Sequence, residues 1–318
     1  MADWRPSASL DNLRARAELL TSIRQFFDDR NVLEVETPLL ARATATDVHI
    51  QSLQVSVEDR ALAGISYLQT SPEFAMKRLL ANGTGPIYQI CKAFRDGEHS
   101  KRHNQEFTML EWYRPAYSMA QLIDEVEQLV DVLLGIGEIQ RLSYRELFLK
   151  FLQFDPHTIS LDRLAAIAHE KMDLNSESLT RTDYLQLLLA SCIEPMMPSN
   201  CFIYDFPVEQ AALAKIEEDD QAQLVAKRFE LYCSSMEIAN GYFELTDATE
   251  QRSRLEADLE KRTELQLAQY PIDEKLIAAL EHGIPDCAGV AVGVDRLLML
   301  LTDSKDIDEV IAFPTTLT

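Results

Sequence analysis

Two segments, Ile87–Arg95 and Phe107–Arg114, constrain this chain more than any other feature. Each alternates like a strand, and the eleven-residue polar segment Asp96–Glu106 joins them. A connection that long inside a hairpin is usually a working loop. If Arg95 lies near Phe107 across the ladder, the two-residue period puts Arg95, Phe107, Met109, Glu111 and Tyr113 on one face. Ile90, Phe94, Leu110 and Trp112 fall on the other. One face reads as core and the other as a ligand platform.

Flanking segments give the platform its surroundings. Leu13, Ala17, Leu20 and Phe27 recur at helical spacing within Leu10–Arg30, and Val32–Pro38 alternates like a strand closed by a proline that cannot donate to a ladder. A short strand from Tyr67 to Thr70 meets Ser71-Pro72-Glu73, where Ser71 suits an N-cap and Pro72 the first helical position. Residues 118–200 read as helix-rich scaffold, Ser199–Phe206 as a strand and Glu217–Asp220 as a solvated turn. Near the end, Ala288–Val294 is a small-residue strand, and Asp295-Arg296 opens a helix, a setting that suits a phosphate group.

The segment Arg228–Leu245 carries geometry of its own. With Ser234-Ser235 as a turn, Tyr232 faces Glu237, and Glu230 becomes a diagonal neighbour of Glu237 on one face. Two readings fit: carboxylate oxygens holding a hard cation such as magnesium, or a surface pair with Lys or Arg partners, which the segment alone favours. Asn240, Gly241 and Glu244 follow, and Gly241 permits a bulge.

Composition narrows the partners. Thirty Lys and Arg against 52 Asp and Glu leave a net charge of −22, a poor field for a polyanion such as tRNA. No apolar run approaches membrane-spanning length, and the Met1-Ala-Asp-Trp start carries no secretory pattern. Five cysteines without a C-x-x-C pair suit the reduced thiols of a cytoplasmic protein.

Taken together, the helix–strand–Pro38 unit, Phe94-Arg95 with Glu106–Tyr113, and Gly289–Arg296 resemble motifs 1, 2 and 3 of the class II aminoacyl-tRNA synthetases. The catalytic domain of lysyl-tRNA synthetase is matched over nearly the whole chain, including Glu237-x-x-Asn-Gly-Tyr-x-Glu-Leu245. Motif 1 begins at about residue 10, which leaves no room for that enzyme's anticodon-binding domain. The sequence therefore resembles the stand-alone paralogues of lysyl-tRNA synthetase that attach β-lysine to elongation factor P.

The resemblance implies a single α+β catalytic domain over 1–318, an antiparallel sheet flanked by helices with a helical insertion at 118–200, in a homodimer formed through motif 1. It implies an ATP-dependent ligase that activates (R)-β-lysine or lysine as an adenylate and transfers it to a lysine of elongation factor P. Arg95 and Arg296 are its expected catalytic residues. ATP falls to these two with Glu98, His103, Asn104, Phe107, Glu230 and Glu237, the last pair holding Mg2+. The amino acid falls to Ser71, Glu73, Glu111, Tyr113, Asn240, Tyr242, Glu244 and Ala291. Two positions depart from lysyl-tRNA synthetase: Gly97 replaces a glutamate, with Glu98 beside it, and Ala291 replaces a glycine. A truncated synthetase charging tRNA, or a non-catalytic regulator, is the rival expectation.

Overall fold

A computed structural model of the protein describes residues 4–58, 64–174 and 179–318; Met1–Asp3 of the start lie outside them. The chain divides into two compact units, Met1–Ile136 with Leu245–Thr318, and Gly137–Glu244. Elements are numbered in chain order.

In the first unit, helix α1 (Leu10–Asp28) is capped by the Ser9 side chain, which accepts from Asn12 N. It buries Leu19, Ile23, Phe26 and Phe27, so of the expected stripe Leu13, Ala17, Leu20 and Phe27 only Phe27 is buried, and Ala17 is exposed. The rotation follows the aromatic packing: Phe27 stacks on Tyr88 at 4.4 Å and meets Trp112 edge-on at 5.2 Å. Asn31, at φ 53°, turns the chain into β1 (Leu33–Glu34), much shorter than the strand expected to reach Pro38. Strands β2 (Leu40–Ala41), β3 (Gln54–Val57) and β4 (Gly64–Leu68) form a small sheet in the order β2-β4-β3. The strand expected at Tyr67–Thr70 thus starts and ends earlier.

Helix α2 (Glu73–Ala81) starts one residue later than expected, with Pro72 in the cap position, although Ser71 Oγ still accepts from Glu73 N at 3.0 Å. Strands β5 (Ile87–Phe94) and β6 (Glu106–Pro115) pair antiparallel, with Ala93 opposite Phe107, Cys91 opposite Met109 and Gln89 opposite Glu111. Helix α3 (Met119–Leu134) carries a Ser118–Gln121 capping box and ends at Gly135, whose φ of 64° favours glycine. Beyond the second unit, α7 (Ala248–Glu264) and α8 (Glu274–His282) lead to β12 (Cys287–Gly293), which pairs antiparallel with β6, and then α9 (Val294–Leu301). Leu33 and Glu34 of β1 run parallel to β5, so this unit's strands follow the order β1-β5-β6-β12. The Tyr113 end of the front face packs with Met76, Leu80, Leu255, Leu276 and Ile277 from α2, α7 and α8. Behind it, the Trp112 indole donates to Glu125 of α3 at 3.0 Å.

The second unit contains β7 (Gln140–Ser143) and α4 (Tyr144–Leu152), followed by α5 (Leu161–Lys171) and α6 (Arg181–Leu188). Then come β8 (Asn200–Phe206), β9 (Ile216–Glu218), β10 (Leu224–Cys233) and β11 (Met236–Phe243). The expected helical insertion is therefore these helices with strands of their own, and α3 belongs to the first unit. Half of the supposed acidic turn, Glu217 and Glu218, lies in β9 and pairs with Val225 and Leu224. Tyr144 stacks on Phe148 at 4.7 Å within a core shared with Ile203, Phe206 and Leu188. Both units are helices laid on mainly antiparallel strands, an α+β fold. Among the described residues no helix is long and apolar enough to cross a membrane, and the five cysteines are free thiols.

Candidate active site

Strand β6 arranges the first unit's functional side chains in a row. At its N-terminal end the Arg95 guanidinium lies 5.2 Å from the centroid of the Phe107 ring. Arg95 Nη1 is 3.7 Å from Glu98 Oε1, while its buried Nε has no hydrogen-bond partner among the described residues. A buried guanidinium N–H left unmet is costly in a folded chain, and it suits an anion arriving from outside.

The loop between β5 and β6 is docked rather than loose. Arg296, near the start of α9, donates through Nη2 to His103 Nε2 at 2.7 Å, and His103 Nδ1 is 2.8 Å from Ser100 Oγ. Because Arg296 can only donate, Nε2 is the acceptor and the imidazole proton sits on Nδ1. A Cβ at Gly293 would meet the Arg296 side chain only at ordinary contact distance, 3.5 Å. Asn104, expected to contact ATP, uses its amide inside the chain, accepting from Thr315 N at 3.0 Å and donating to Glu106 O at 2.7 Å. Asp295, beside Arg296, accepts from Thr108 N at 2.7 Å and from Arg16 of α1. Neither contact was legible in the sequence, which marks Asp295 only as the opening of the helix.

Farther along β6, Glu111 is 2% exposed. Its Oε1 accepts from the Tyr113 hydroxyl at 2.6 Å and its Oε2 from Ser71 Oγ at 2.9 Å. Ala291 of β12 stands opposite Glu111 and is half-buried. Glu73, expected to bind an amine, accepts at 2.6 Å from Lys77, one helical turn on and 1% exposed. That lysine was missed because only burial distinguishes it from a solvated i,i+4 partner.

The second unit gathers its own set. Tyr232 stands opposite Glu237 across the Ser234-Ser235 turn, as the sequence predicts, and both turn residues have positive φ, 51° and 58°. The bulge lies at Ile238, where the register jumps, not at Gly241, which pairs regularly with Phe229. This slip places Asn240 opposite Glu230. Glu230 Oε1 accepts from Arg228 Nη2 at 2.5 Å and Oε2 from the Tyr232 hydroxyl at 2.9 Å. Arg228 Nε also donates to Asn240 Oδ1 at 3.2 Å, and Asn240 Nδ2 to the Tyr242 hydroxyl at 3.0 Å. Burial raises the Glu230 pKa and the charge of Glu237 raises it further, against the opposing pull of Arg228. Glu244 is 1% exposed beyond β11, at a bridge to Ala214.

Two carboxylates that repel one another fit a divalent cation, and their oxygens are the hard donors magnesium takes. Glu230 and Glu237 are the residues that would hold it. Among the described residues no group of three or more His, Cys, Asp or Glu side chains is placed to hold a metal ion.

A loop-bearing strand pair with an arginine over an aromatic ring, a glycine-bearing strand opening into an arginine-led helix, and a paired-glutamate hairpin together define a class. The chain belongs to the class II tRNA synthetases (D, K and N), whose family profile matches residues 1–317. It is an enzyme of the ligase type. Within that class it is 50% identical over 319 residues to the elongation factor P–(R)-beta-lysine ligase of Pseudoalteromonas translucida, covering 98% of each chain. It is 48% identical over 320 residues to the protein of that name from Edwardsiella ictaluri, again covering 98% of each. The Proteus mirabilis protein of the same name is 47% identical over 321 residues, covering 99% of this chain and 98% of its own.

Proposed function

We propose that this protein activates (R)-β-lysine, or lysine, with ATP and transfers it to a lysine side chain of elongation factor P. The observation that carries the reading is the order of groups along β6. An anion- and ring-binding pair, Arg95 and Phe107, stands at one end, and a buried carboxylate, Glu111, four residues beyond. Four residues of strand span about 14 Å at roughly 3.4 Å each. That order suits a nucleotide at one end and a long cationic amino acid extending to the other. The names of the relatives support the same substrates.

In the first step a substrate carboxylate oxygen attacks the α-phosphorus of ATP, the bond to pyrophosphate breaks, and an aminoacyl-adenylate forms. Arg95 and Arg296 meet charge on the phosphates and Phe107 stacks on adenine, so the chain contributes positioning and electrostatics. Glu230 and Glu237 of the second unit would hold magnesium, which would supply further neutralisation of phosphate charge. Within the first unit, Glu111 and Tyr113 take the distal ammonium and Glu73 the substrate's other amine, with Ser71 holding Glu111. In the second step the neutral amine of the acceptor lysine attacks the acyl carbonyl, AMP departs, and the amine loses a proton to solvent. The working unit is a homodimer, for which exposed Leu10, Leu33, Leu39 and Leu40 supply apolar surface; a monomeric mass by light scattering at micromolar concentration refutes that element.

Incubation with ATP, β-lysine and elongation factor P adds one lysyl increment to the factor by mass spectrometry. Efficient charging of tRNA with no shift in the factor overturns the reading.

A further inference from the structure

On the front face of the first unit's sheet, one row of three side chains crosses β5, β6 and β12: Gln89, Glu111 and Ala291. Cross-strand partners share a face, so Gln89 stands beside the carboxylate assigned to the distal ammonium. Gln89 is 2% exposed, and its Oε1 has no hydrogen-bond partner among the described residues. Cys91 lies two residues along the same face of β5, and its thiol accepts from Gln69 Nε2 at 3.3 Å. A buried amide oxygen left unmet is a cost that folding alone does not repay.

A substrate ammonium brings three N–H donors into this end of the pocket. Each oxygen of Glu111 already accepts one hydroxyl, from Tyr113 and from Ser71. We propose that Gln89 Oε1 is a second acceptor for the substrate's distal ammonium, so that Gln89 is a specificity-determining residue that selects dibasic over neutral amino acids. The inference rests on the dibasic substrate proposed above and adds a residue to its recognition. The acceptor is neutral, so it fixes the direction of the ammonium without adding another charge beside Glu111.

The test is ATP–pyrophosphate exchange with β-lysine, lysine and norleucine, which lacks the distal ammonium. If the native protein shows no preference for the dibasic acids over norleucine, the substrate reading itself fails. Given that preference, Gln89→Met, which keeps length and removes the acceptor, lowers the lysine-to-norleucine ratio of kcat/KM about 10-fold to 100-fold, as expected for a hydrogen bond to a charged group. The change resides in KM for the dibasic acid, with KM for ATP unaltered. Gln89→Glu retains an oxygen at the same place and keeps the ratio within about threefold. An unchanged ratio in folded Gln89→Met, or a Gln89→Glu variant that loses the preference, overturns the inference.

Discussion

Each face of β6 buries a glutamate beside an aromatic side chain. In front, Glu111 accepts from the hydroxyls of Tyr113 and Ser71. Behind, Glu125 of α3 accepts from the Trp112 indole and lies 3.4 Å from Arg114 Nε and 4.0 Å from Arg30 Nε. The back face thus meets its buried charge with guanidinium groups of its own. The front face keeps buried polar atoms, Arg95 Nε and Gln89 Oε1, for which the described residues offer no hydrogen-bond partner. Arg114 Nε behind the strand likewise makes no hydrogen bond, but it faces the Glu125 carboxylate as an ion pair at 3.4 Å, whereas no such counter-group meets Gln89 Oε1 in front among the described residues.

The largest test of this contrast is Arg95→Ala. Removing a preorganised donor from a reacting anion typically costs about 100-fold to 1000-fold in rate, so pyrophosphate exchange falls by that much while the thermal unfolding midpoint stays near the native value. A variant that unfolds early yet keeps its exchange rate would move Arg95 to the structural side. A smaller effect is expected at Ala291, opposite Glu111 on the front face, whereas Val290 and Val292 stand opposite Trp112 and Leu110 behind. One methyl in a pocket is worth about 10-fold to 200-fold in selectivity. Ala291→Gly therefore shifts the exchange preference toward α-lysine over β-lysine, while Val290→Ala changes stability and leaves that ratio alone. Equal ratios in native and Ala291→Gly proteins would reassign Ala291 to packing.

The contrast was half legible in the sequence. Period-two alternation separated Glu111 and Tyr113 from Leu110 and Trp112 because a strand sends successive side chains to opposite faces. The same rule located the Tyr232–Glu237 pair. It could not supply Arg228, Lys77, Gln89 or Asp295, whose roles depend on what tertiary packing brings beside them. Lys77 and Arg228 look like ordinary surface cations until burial forces each against a glutamate. The bulge at Ile238 was misplaced because glycine was the only visible signal, and Gly241 lies three residues farther along. The α1 stripe kept Phe27 but moved from Leu13, Ala17 and Leu20 to Leu19, Ile23 and Phe26, because Phe27 packs on the rings of Tyr88 and Trp112.

The subtlest expectation concerns the sign of the back-face charge. Burial raises the Glu125 pKa above its ordinary value of 4.5, against the opposing pull of Arg114, Trp112 and Arg30. Above its unfolded pKa and below its folded one, the folded protein holds the proton more tightly than the unfolded chain does. By linkage its contribution to stability is full below that interval and is lost as pH rises through the folded pKa. Glu125→Gln mimics the protonated form and cannot ionise. Its unfolding free energy relative to the native protein should therefore improve from acid toward neutral pH, by about 1.4 kcal/mol for each pKa unit of elevation. Exchange activity per folded molecule stays unchanged, because the residue lies behind the strand. Chemical denaturation of both proteins from pH 4 to pH 8 reads the difference. If the variant instead loses ground as pH rises, the arginines outweigh burial, and Glu125 at neutral pH is a stabilising ion pair rather than a tolerated buried charge.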